Sequence, residues 1–148
     1  MKGGDFLLEH PSASDLRQIN PTTCAFLGDG VYELLVREEM IRRHTSLSAG
    51  KLHNFTVEMV CAKAQAKAFE TIESLLTEEE CAAYRRGRNT TSVAPPRHTE
   101  AADYRTATGL EALFGWLYLS GQTERIRALF DAILRAEKPN GNEAGEER

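Results

Sequence analysis

The sequence predicts an all-α fold, a helical bundle forming one domain within 148 residues. Three observations lead there. No segment alternates apolar and polar residues with a period of two. Several long stretches instead repeat apolar residues at three- and four-residue intervals, and residues that open or close helices stand at their ends.

In chain order, residues 1–13 carry no sustained period and are expected to be a flexible N-terminal segment, ahead of a folded unit over residues 14–136. Asn20-Pro21 opens the first long helix, asparagine as N-cap and proline in the first turn. That helix should reach about Arg43, with Cys24, Leu27, Val31, Leu34, Leu35 and Ile41 as its buried stripe. A turn near Thr45–Ser48 precedes a second helical block to about Leu76. Its stripe of Leu52, Phe55, Met59, Ala62, Ala66, Phe69 and Ile72 reads as core, while Lys63 and Lys67 fall off it and should be solvated.

Thr77-Glu78-Glu79-Glu80 is a capping box opening a short helix expected to stop at Gly87. The segment to about Thr99, with Pro95-Pro96 and no periodicity, reads as a loop. A further helix follows from about Glu100 to Leu119 and ends at Gly121. The last, on Ile126, Leu129, Phe130, Ile133 and Leu134, stops before Pro139. Residues 137–148 are polar and expected to be a disordered tail.

Bulk properties narrow the class. A hydrophobic fraction of 41% with 27% charged residues fits a soluble globular protein. No run is long and apolar enough to span a bilayer, and no signal-peptide pattern opens the chain. Cys24, Cys61 and Cys81, with no C-x-x-C, fit buried thiols in a reducing cytoplasm, so the expected location is cytoplasmic. The four histidines show no zinc spacing. A net charge of −4 argues weakly against nucleic acid, yet an average conceals patches.

Three features carry chemistry. Thr108-Gly109-Leu110-Glu111-Ala112-Leu113-Phe114-Gly115-Trp116-Leu117-Tyr118-Leu119 is apolar almost all round, and Glu111 is its one charge. A carboxylate sunk there needs a partner. An arginine or helix N-terminus would make it structural, and a divalent cation would make it a ligand. From this helix alone both readings stand.

The second feature is Phe26-Leu27-Gly28-Asp29-Gly30-Val31-Tyr32-Glu33. Two glycines in a helix interior cost about 1 kcal/mol each against alanine, which close approach by a backbone or ligand would offset. Asp29 and Glu33, four apart, project from one helix face and repel unless a cation or solvent relieves them. Solvent suffices for Glu33; Asp29, among glycines and apolar neighbours, is the functional candidate.

The third is a basic stretch. Between Tyr84 and Arg105 stand five arginines against Glu100 and Asp103, a local +3 in an acidic chain. Helix-dipole complementation accounts for Arg85 and Arg86 but not for arginines continuing through a proline-rich loop. Guanidinium groups there suit phosphate. Together the three features suggest phosphodiester hydrolysis assisted by Mg²⁺ or Mn²⁺, hard cations that prefer oxygen ligands.

These residues resemble a known family. Phe26-Leu27-Gly28-Asp29-Gly30-Val31-Tyr32-Glu33 is similar to the ribonuclease III signature, and Gly109-Leu110-Glu111-Ala112-Leu113-Phe114-Gly115 to that family's second acidic motif. The match is closest to the short bacterial form with the nuclease domain alone. Val60-Cys61-Ala62-Lys63-Ala64-Gln65-Ala66, Tyr84-Arg85-Arg86-Gly87-Arg88-Asn89 and Asp103-Tyr104-Arg105 extend the resemblance in consistent order over roughly residues 14–136.

The resemblance implies a homodimeric, all-α endoribonuclease cleaving double-stranded RNA to 5′-phosphate and 3′-hydroxyl ends, with a stem of precursor large-subunit ribosomal RNA as substrate. It implies Asp29 and Glu111 as catalytic residues and ligands of Mg²⁺, with Mn²⁺ able to substitute; Glu33 is a further candidate ligand. Arg85, Arg86, Arg88, Asn89, Arg97, His98 and Arg105 are the candidate RNA-binding residues. Ala25 and Thr108 stand where the full-length enzymes carry glutamate and aspartate, so fewer protein ligands and more bound water are expected. Because the short form carries a single domain, a ribosomal protein assisting substrate presentation is a further expected partner.

Two rivals predict otherwise. A catalytically inactive ribonuclease III-like module, binding RNA or associating with ribosomes, should have lost Asp29 or Glu111. An unrelated helical interaction module would make Glu111 structural and leave the arginines without a role.

Overall fold

The structure, a computed structural model, describes residues 11–90 and 94–137, all α-helix, turn and loop without a strand among them. The helices are α1 (Ala13–Gln18), α2 (Pro21–Arg43), α3 (Ala49–Val60), α4 (Ala62–Ile72), α5 (Glu78–Asn89), α6 (Ala101–Leu119) and α7 (Thr123–Glu137), with a 3-10 turn over Glu73–Leu75. Most of the residues assigned to an N-terminal flexible segment, and nearly all of the C-terminal tail, lie outside the described residues. Within the first, however, Ser12 caps α1 by accepting from the Asp15 N–H.

Helix starts follow local chemistry closely. Asn20 Oδ1 accepts from the Thr22 N–H at 2.8 Å, with Pro21 behind it. Thr77 and Glu80 form the full capping box of α5. Gly121, at a φ of 77°, ends the chain's run through α6.

Helix α6 is the centre of the bundle. It packs against α2, α4, α5 and α7, and Leu110, Leu113, Phe114 and Leu117 are fully buried. Tyr32 of α2 sits edge-on to Phe114 and to Phe130 of α7, with ring centroids 5.3 and 5.7 Å apart. All five residues expected on the inner stripe of α7 are buried.

Several expectations about burial and breaks fail. The block from Ser48 to Leu76 is two helices, because Cys61 takes an extended conformation (φ −68°, ψ 161°) and both ends α3 and begins α4. No proline or glycine marks that break. Phe55 of α3 is exposed and stacks on His44, while with the phase reset Gln65, Phe69 and Ile72 line the inner face of α4. On α2 the buried stripe runs through Cys24, Ala25, Gly28, Tyr32, Leu35, Val36, Glu39 and Met40, leaving Leu34 and Ile41 outside. Of the cysteines only Cys24 is buried; Cys61 is exposed.

Gly87 does not end α5 either. It lies within the helix, buried, where a Cβ would collide with the Ala112 side chain. Arg85, Arg86, Arg88 and Asn89 are therefore helical and not part of a loop.

Candidate active site

A close crossing of α2 and α6 brings the two motif acids together. A Cβ on Gly28 would overlap the Glu111 carbonyl, and one on Gly115 would overlap the Cys24 carbonyl. The backbones of α2 and α6 touch at these points, which only glycine allows. Gly30 has open space around it, so only one of the two glycines expected to permit close approach does so within the monomer.

At this crossing the Asp29 and Glu111 carboxyl groups meet within hydrogen-bonding reach. Asp29 is exposed, and Glu111 is half-buried. Burial first, then the Asp29 charge, push the Glu111 carboxyl up to about 8. With the proton on Glu111, its O–H donates to Asp29. The opposing influence is Gln65 of α4, whose side chain donates to the Glu111 carboxylate. Gln65 is 1% exposed, and its Oε1 has no hydrogen-bond partner.

The two fully buried glutamates among the described residues are paired conventionally. Glu39 bonds Arg42 and Arg43. Glu80 accepts from Arg125 at 2.8 and 2.9 Å and from the Thr77 N–H at 2.9 Å. Burial alone would push the Glu80 carboxyl up; these donors hold it below its ordinary value. The Glu80 pairing does not stand out in the sequence, because Arg125 lies 45 residues away. Among the described residues, no arginine or lysine pairs with Glu111 in this way.

Glu33 is not drawn into the pair. Arg37 donates to its carboxylate at 2.6 and 2.9 Å, and no cluster of three His, Cys, Asp or Glu residues suited to a metal occurs among the described residues. Ala25 is buried, and the Thr108 hydroxyl donates to the Tyr104 carbonyl at 3.0 Å, so neither adds a carboxylate. Two facing carboxylates beside a free amide oxygen still fit Mg²⁺, which is often held by one or two carboxylates and otherwise by water.

Four of the candidate basic-segment residues, Arg85, Arg86, Arg88 and Asn89, stand on α5, which packs against α6. The C-terminal half of α5 packs beside Thr108–Ala112, a Cβ on Gly87 falling 3.4 Å from the Gly109 Cα. Tyr84, buried, stacks on Phe69 at 3.8 Å and carries the Arg88 guanidinium over its ring at 5.6 Å. Arg85, Arg86 and Asn89 are exposed, as are Arg97, His98 and Arg105. His98 takes a left-handed conformation (φ 64°) just before α6. Residues 91–93, between these two groups, lie outside the described residues.

Comparison with known proteins agrees with the sequence resemblance. The ribonuclease III domain model matches residues 23–122. Mini-ribonuclease 3 of Clostridium tetani is 36% identical over 141 residues, 95% of this chain and 93% of that one. Mini-ribonuclease 3 of a Thermoanaerobacter species is 42% identical over 117 residues, 79% and 82% of the respective chains. An X-ray structure of a Fusobacterium nucleatum protein superposes with a TM-score of 0.74 at 28% identity, covering 83% of this chain and 98% of that one. The chain belongs to the ribonuclease III family, in its short Mini-ribonuclease 3 form, and is an endoribonuclease of the kind that acts on double-stranded RNA.

Proposed function

We propose that Asp29 and Glu111 are the catalytic residues and hold a Mg²⁺ ion, for which Mn²⁺ can substitute. The observation that carries this is their meeting at the Gly28–Gly115 crossing with no arginine or lysine paired to either among the described residues. Like carboxylates so close cannot both ionise cheaply, and a divalent ion removes the conflict. When bound, it would polarise a phosphoryl oxygen and offset charge on the leaving 3′ oxygen. Asp29 offers its carboxylate from the solvent side and Glu111 from the enclosed side. The products are 5′-phosphate and 3′-hydroxyl ends, and the substrate is a base-paired stem of precursor large-subunit ribosomal RNA, as the family resemblance implies.

Arg85, Arg86, Arg88 and Asn89 on α5, with Arg97, His98 and Arg105, grip the phosphates of the duplex, which is read by shape. Ribosomal protein assistance is an extension of this reading that rests on the family's short form.

The active species is a homodimer. Helix α6 buries most of its apolar residues within the monomer, whereas α2 carries large apolar side chains in the open. Phe26, Leu34 and Ile41 are 83%, 60% and 57% exposed. At 100° per residue they fall within about a quarter-turn of one another. That face borders Asp29, so pairing two copies there would set one acidic site against each strand.

Incubating the protein with a long RNA duplex, with and without Mg²⁺, tests the site: cleavage should need the ion and vanish in Glu111→Gln. A Glu111→Gln variant cutting at the parent rate would remove Glu111 from the chemistry. Sedimentation at micromolar concentration should show a doubled mass that Leu34→Asp reduces to the monomer.

A further inference from the structure

The inner face of α4 carries Gln65, Phe69 and Ile72, and only the first is polar. An amide in that position gains nothing from burial, and leaving its carbonyl unpaired costs about 1–3 kcal/mol. Phe69 and Ile72 show what the position would hold if packing were its only duty. The extended Cys61 turns Gln65 inward, since it restarts the helical phase four residues earlier. The amide then meets α6 at Glu111.

We propose that Gln65 is a positioning residue of the acidic site. Its Nε2–H fixes the Glu111 carboxylate, and its Oε1 is kept free to accept a hydrogen bond from water hydrating the cation. This rests on the reading of Asp29 and Glu111 as cation ligands. It gives the site a third oxygen at the enclosed end, where Thr108 and Ala25 offer no carboxylate. Partners behind a ligand commonly govern metal affinity by 10–100-fold (order of magnitude).

The test measures Mn²⁺ binding by the protein without RNA, in the parent, Gln65→Met, Gln65→Glu and Glu111→Gln. Methionine keeps the length of the side chain and removes both amide atoms. It should weaken Mn²⁺ by about 10–100-fold, lower kcat at limiting Mn²⁺, and leave KM for duplex RNA and the melting temperature essentially unchanged. Parent-like Mn²⁺ affinity in Gln65→Met, with Glu111→Gln weakened, would overturn the positioning role and leave the acidic site standing. Parent-like affinity in both would overturn the site itself. If Gln65→Met melts below the assay temperature, Gln65→Glu decides. A third carboxylate at the site should enlarge the rise in melting temperature on adding Mn²⁺, and an unchanged rise would refute the proposal.

Discussion

Glu80 and Glu111 are both glutamates enclosed by this fold, and their surroundings could hardly differ more. Glu80 is 3% exposed and fully answered: an arginine fork from α7, a backbone N–H from its own cap, and a carboxyl held below its ordinary value. Glu111 faces a second carboxylate and one amide, and its carboxyl is pushed up to about 8. The first arrangement ties α5 to α7 and leaves no group wanting. The second leaves an electrostatic debt that only protonation or an added cation settles. A buried acid is thus informative through its partners more than through its burial.

The largest expected difference is in how stability follows pH. A carboxyl raised in the folded state takes up more protons folded than unfolded, between about 4.5 and 8. Stability without metal should therefore fall as pH rises through that window, by an amount on the order of a few kcal/mol. Glu111→Gln should remove that fall, and Mg²⁺ should reduce it in the parent. Melting curves from pH 5 to 8.5 on the parent and Glu111→Gln measure both, and parallel curves would show that Glu111 is not the strained group.

Glu80 should behave with the opposite sign. Its lowered carboxyl contributes stability above its unfolded value, lost as pH falls through the folded one, so its effect lies below about 4.5. Glu80→Gln should destabilise by about 1–3 kcal/mol through weakened bonds to Arg125 and the cap. Cleavage by the folded fraction should persist. Loss of activity with an intact fold would blur the distinction between the two acids.

The smallest effects on stability belong to the basic residues. Replacing Arg85, Arg86 and Arg88 with alanine should change stability by about 0–1 kcal/mol each, Arg88 contributing most through its place over Tyr84. RNA affinity should fall, and the slope of log affinity against log salt should become shallower by up to about 0.9 per lost phosphate contact, on the B-form value. An unchanged slope would reduce these arginines to complements of the α5 dipole.

Much of this was legible along the chain. The caps at Asn20 and Thr77, the stop at Gly121 and the α7 stripe are local chemistry, fixed by hydrogen bonds and spacing within a few residues. So was the oddity of Glu111 and Asp29, since an acid among apolar residues and glycines is visible without coordinates.

Which acid is answered and which is not depended on tertiary contacts. Arg125 reaches Glu80 across 45 residues. Gln65 reaches Glu111 only because Cys61 breaks a helix at a point that carries no breaker. Gly28 and Gly87 look alike as helix interruptions, yet both are packing sites against α6. The periodicity of α2 could not distinguish the face turned to α6 from the face carrying Phe26, Leu34 and Ile41, because both are apolar. Sequence alone determined most helix starts and the reactive residue types. The packing of α2, α4 and α5 on α6 decided which carboxylates meet, because that depends on how closely the backbones approach.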